Sequence, residues 1–164
     1  MEIESLQELL IEEMRDIYSA ENQLTKALPK MAKKASNPQL KKAFETHLKE
    51  TEGQIQRLQK IFDKLGKKPT GKKCAAMEGL IEEGKEMMAE DMDEETMDAA
   101  LIAVAQKVEH YEIASYGTVR TWAQHIGDEQ MAKLLQQTLD EEGKTDKLLT
   151  EMAENSINVE AAQA

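Results

Sequence analysis

Glutamates set into apolar helical seams are the residues of this sequence with chemistry to offer. In the stretch AQKVEHYEIASYG, residues 105–117, a helical reading aligns Ala105, Val108, Glu112 and Ser115, and Val119, Trp122 and Ile126 continue the line. A carboxylate buried there alone costs several kcal/mol or takes up a proton. Glu21 lies in line with Ile17, Leu24 and Leu28, and Glu142 with Met131, Leu135, Thr138, Thr145 and Leu149. Glu50 flanks its seam, on a face shared with Ala43, His47, Gln54 and Ile61.

The spacing links these four. Glu21 precedes Glu50 by 29 residues, and Glu112 precedes Glu142 by 30. Each stands a similar distance from its own turn, so at about 1.5 Å of rise per residue two folded hairpins bring their carboxylates to matching heights. Packed together, the hairpins would converge four carboxylates at the bundle centre. Two divalent cations would neutralise them, and hard oxygen ligands suit iron, or else manganese, before thiophilic ions.

The usual bundle site takes one Glu from each of two helices and Glu-x-x-His from each of the other two. Here the residue three after Glu50 is Gly53, and three after Glu142 is Thr145. His47, one turn before Glu50, and Glu109, one turn before Glu112, stand in their place. Each is open between touching the metal and holding a ligand by hydrogen bond. Asp146 and Gln54 could orient ligands or face solvent. His110 and His125 look peripheral, and Tyr116 reads as packing. The competing reading of any one Glu is an edge residue reaching outward to water.

Four long helices and one shorter one would position these groups. The first spans about Ser5 to Ala35, with Pro29 inside it removing one backbone bond. Asn37 can cap the second and Pro38 suits its first turn, and that helix runs to Leu65 and stops at Gly66. After the loop KKPTGKK, a shorter helix from Cys74 to about Ala89 is weakened by Gly79 and Gly84, and EDMDEE reads as a solvated connection. The third long helix covers about Asp93 to Ile126 and ends at Gly127, and the fourth runs from Asp128 to about Asn155. Short breaks make each pair antiparallel, and the long connection makes the crossover. The expectation is an all-α, ferritin-like four-helix bundle of two antiparallel hairpins whose crossover carries a short extra helix. The alternative is an up-down bundle with that helix on the outside. One domain should cover residues 1–157, with 158–164 a frayed tail.

Composition agrees. Aromatics are 4% of the 164 residues, which leaves little for a β core. A net charge of −11 argues against nucleic acid and against anionic membranes. Cys74, the only cysteine, excludes an intrachain disulfide and permits a reducing compartment. No apolar run is long enough to span a bilayer, and the acidic N-terminus is unlike a signal peptide, so the expected location is the cytoplasm. Five of the ten methionines (77, 87, 88, 92 and 97) cluster around the crossover and suit flexible packing at a subunit contact.

DIYSAENQLTKAL, HLKETEGQI, CAAMEGLIEE and AALIAVAQKVEHYEIASYG resemble the bacterial YciF/YciE stress-protein family, over nearly the whole chain except the tail. The resemblance implies a ferritin-like bundle, a homodimer, expression under stress and a two-metal site, in a family without an assigned reaction. Glu21, Glu50, Glu112 and Glu142 fall where that site would lie, with His47 and Glu109 as its variable members. The missing Glu-x-x-His pairs separate the chain from ferritins proper. Two functions follow: a di-metal oxidoreductase acting on peroxide or oxygen, or a non-catalytic dimeric stress protein acting through its surface.

Overall fold

The structure, a computed structural model, describes residues 2–164. Helix α1 spans Leu6–Lys34, and its cap Ser5 accepts a hydrogen bond from the Glu8 amide. Helix α2 spans Pro38–Leu65. Asn37 accepts from the amides of Gln39 and Leu40 at its start, and Gly66 ends it at φ 62°, where a side chain would be strained. Helix α3 covers Ala75–Ala89, α4 Glu94–His125 with Asp93 as its cap, and α5 Glu129–Met152 with Asp128 as its cap. A wide π turn at Ala153–Ile157 leads into the short α6, Asn158–Ala161. Residues 158–161, expected to fray, are helical but bury no side chain.

Packing distinguishes the two possible bundles. Helix α1 lies beside α2 and α4, and α5 lies beside α4 and α2. In the first half of α1 Asp16 accepts from Tyr111, and just past its end the amides of Ser36 and Asn37 donate to Asp98, so α1 and α4 are antiparallel. Lys64 meets Gln130 and Arg57 meets Glu141, so α2 and α5 are antiparallel as well. An up-down ring would make the first and third long helices parallel. The fold is the two-hairpin, ferritin-like bundle, with α3 packed outside against α1 and α4.

The core falls into two apolar halves. One gathers Leu24, Leu28, Phe44, Met77, Leu101 and Leu149, and the other Met14, Ile17, Leu58, Phe62, Val119 and Leu135. Between them α4 does not keep the line expected from the sequence. Its buried stripe passes through Val108, Glu112, Tyr116, Val119 and Ala123, leaving Ser115 and Trp122 half-buried. A stripe stepped at 3.5 residues drifts off a helix that turns every 3.6, and Tyr116 takes the position drawn for Ser115.

Candidate metal centre

The layer between the two apolar halves is polar. Glu21, Glu109, Glu112 and Glu142 are each at most 1% exposed, and His47 is 3% exposed. One ligand atom from each of His47, Glu109, Glu112 and Glu142 lies within 4.8 Å of the other three. Helix α2 supplies the imidazole, α4 two carboxylates one turn apart and α5 the third. His47 Nε2 lies 2.7 Å from Glu109 Oε1 and 3.8 Å from Glu142 Oε2, but is not aligned to donate a hydrogen bond to either.

Glu21, on α1, borders this group. Its Oε1 accepts a 2.6 Å hydrogen bond from the Tyr116 hydroxyl, while its Oε2 has no partner. Tyr116 is thus more than packing: it fixes the one carboxylate that α1 contributes. Glu50 stands apart, half-buried on the far side of His47. Its Oε2 lies 3.6 Å from His47 Nδ1 and accepts from the Thr145 hydroxyl at 3.3 Å.

The remaining candidates lie elsewhere. Gln54 is fully buried, but its amide donates to Glu141. Asp146 accepts from Gln106 and meets His110 at 3.2 Å on the surface. His125 is exposed and bonds to the Thr121 carbonyl. The sequence reading missed Arg57, which grips Glu141 through its two terminal guanidinium nitrogens at 2.7 and 2.6 Å and also donates to Thr138. A signal existed: Arg57 continues the face of His47, Glu50 and Gln54 at helical spacing.

Electrostatics show what crowding does here. Burial, then the charge of Glu142, pushes Glu21 up from 4.5 to about 8. Burial and neighbouring carboxylates raise Glu112 and Glu142 well above the ordinary range. For His47, burial opposes the charge, but the Glu109 carboxylate beside it outweighs that and holds the imidazole well above 6.5. Glu50, with the His47 imidazole beside it at 3.6 Å, is lowered instead. Without a cation the cluster must therefore carry protons.

The donor set fits a metal ion. Six carboxylate oxygens, on Glu21, Glu109, Glu112 and Glu142, are buried without a hydrogen-bond partner, as are both nitrogens of His47. Buried polar atoms are nearly always paired, so such a concentration of orphans marks a place built for something else. Oxygen donors with one imidazole suit iron or manganese.

The family model described as a domain of unknown function, DUF892, matches residues 5–162. Protein YciF of Escherichia coli strain K12 is 49% identical over 162 residues, 98% of each chain. The crystal structure of that E. coli stress protein superposes with a TM-score of 0.91 at 49% identity, covering 95% of this chain and 99% of that one. YcfI of Rhodopseudomonas palustris, described as a candidate structural protein, superposes with a TM-score of 0.88 at 46% identity, covering 91% of this chain and 95% of that one.

Proposed function

The chain belongs to the DUF892 family, and from that membership and the buried His47–Glu109–Glu112–Glu142 cluster we propose that it is a stress-response protein with a carboxylate-bridged di-metal site. The concentration of orphaned carboxylate oxygens around His47 carries the reading. Glu109, Glu112, Glu142 and His47 would hold one ion, and Glu21, with Glu50 past His47, would complete the set for a second. Bound iron, or manganese, would supply electrons to peroxide or oxygen. The chain's own groups would do the rest. Tyr116 holds Glu21 in place, and the apolar halves on either side keep bulk water away.

Metal analysis after reconstitution with ferrous or manganous ion tests this, with about two ions per chain expected. Less than about a tenth of that occupancy would remove the site. The alternative is a non-catalytic dimeric stress protein, its metal structural or absent. It is favoured by the description of the R. palustris relative and by the enclosure of the cluster. Peroxide consumption per bound metal separates the two: none at full occupancy would leave the structural role.

A further inference from the structure

The buried cluster needs a way in, and the cavities around it differ in how they could provide one. Beside His47 and Glu109 lies a void of about 10 Å³, room for about one water. Three surface grooves approach it, and each shares part of its wall. The groove between α1 and α3, about 260 Å³, shares Leu24, Met31 and Val108. A second, about 240 Å³, at the α1–α2 end shares Leu28 and Phe44. These side chains are bulky, apolar and no more than 3% exposed. The third, about 410 Å³, lies between α2 and α5 and shares only Ala43 and Thr145, both half-buried.

An ion pays heavily to shed water against hydrocarbon and far less where oxygen ligands replace its shell. Of the three partitions, only the third offers them. Thr145 brings a hydroxyl, and behind it Glu50 reaches from the groove to 3.6 Å from His47 Nδ1. The residues common to both walls are also small, an alanine and a threonine.

Resting on the metal-site reading above, we infer that divalent metal ions enter the buried cluster from the α2–α5 groove, between Ala43 and Thr145, with Glu50 passing them inward. Ala43 and Thr145 form the portal and bind no metal at rest. Lys42 and Lys144 stand on the groove's rim, both exposed, and their charge slows an approaching cation.

Cobaltous ion is a suitable probe, because its absorption changes on binding and its uptake can be followed by stopped flow. Ala43→Met thickens the partition and should slow uptake about tenfold or more with final occupancy unchanged. Lys144→Gln, a surface change that leaves packing alone, should speed uptake and decides the matter if the first variant folds poorly. Ala27→Met, the same enlargement in the α1–α3 groove, should leave the rate as it is. Uptake unaltered by Ala43→Met and Lys144→Gln, slowing by Ala27→Met instead, or lost final occupancy in Ala43→Met each overturns the portal while leaving the metal site standing. A parent protein that takes up no cobalt overturns both.

Discussion

Glu142 sits where four helices meet, fully buried, beside His47, Glu109 and Glu112. Metal-free protein must hold it there protonated or repelled. Glu142→Leu removes desolvation and repulsion together, so the metal-free variant should be more stable by roughly 1–3 kcal/mol. The same change should abolish the gain in melting temperature that metal gives the parent. An apo variant no more stable than the parent, still stabilised by metal, would place Glu142 outside the site. The neighbouring groups set a pH signature. Glu21 is raised to about 8, and Glu112, Glu142 and His47 also have raised pKa values. The folded state therefore binds protons more tightly than the unfolded one, and stability falls as pH rises. For Glu21 this contribution is complete below 4.5 and lost as pH climbs through about 8. Melts of chelator-treated protein should show a falling Tm from about pH 5 to pH 8; a rise over that interval would count against protonated carboxylates in the core.

At the scale of elements, two contacts hold the helices in register. Asp98, buried near the start of α4, accepts from the backbone amides of Ser36 and Asn37 at 2.8 Å each, tying the α1–α2 turn to α4. Asp98→Ala leaves two donors poorly satisfied and should cost about 2–4 kcal/mol. A loss under about 0.5 kcal/mol in chemical denaturation would mean water replaces the carboxylate. Gly84 decides how close α3 comes to α4. A Cβ there would meet Val104 Cγ1 at 2.9 Å, too near for either to stay put. Alanine usually helps a helix interior by roughly 0.5–1 kcal/mol over glycine, but valine is stiff and this overlap should reverse the sign. Gly84→Ala should thus lower stability by about 1 kcal/mol, and adding Val104→Ala should remove the coupling between the two sites, as a double-mutant cycle would report.

For the molecule as a whole, among the described residues no helix is long and apolar enough to cross a membrane. At this scale we propose a homodimer through α3. Met77 is fully buried in the chain's own core, Leu80, Ile81 and Met88 are half-buried and Met87 is 37% exposed. The face left for a partner is narrower than the apolar content of α3 implies, and it centres on Met87. Sedimentation at micromolar concentration should give a dimer, and Met87→Glu should weaken it about tenfold or more. A monomeric parent would refute the dimer, and an unaffected dimer in the variant would move its interface elsewhere.

Local pattern determined a great deal of this protein. The long helices announce themselves by apolar residues at helical spacing and by punctuation such as Asn37–Pro38, Gly66 and Gly127, because these signals act within a turn or two of chain. Matching distances from the turns set Glu21, Glu50, Glu112 and Glu142 at one level, since rise per residue is fixed, and of these Glu21, Glu112 and Glu142 are fully enclosed. What periodicity does not carry is how far each helix rotates about its axis once packed against others. That rotation, set by the fit of side chains between helices, turned His47 inward and left Glu50 half in the α2–α5 groove. It also brought Arg57 onto Glu141 and the Tyr116 hydroxyl onto Glu21, pairs 84 and 95 residues apart in the chain. Such contacts depend on two surfaces at once, and only the tertiary structure decides which surfaces meet.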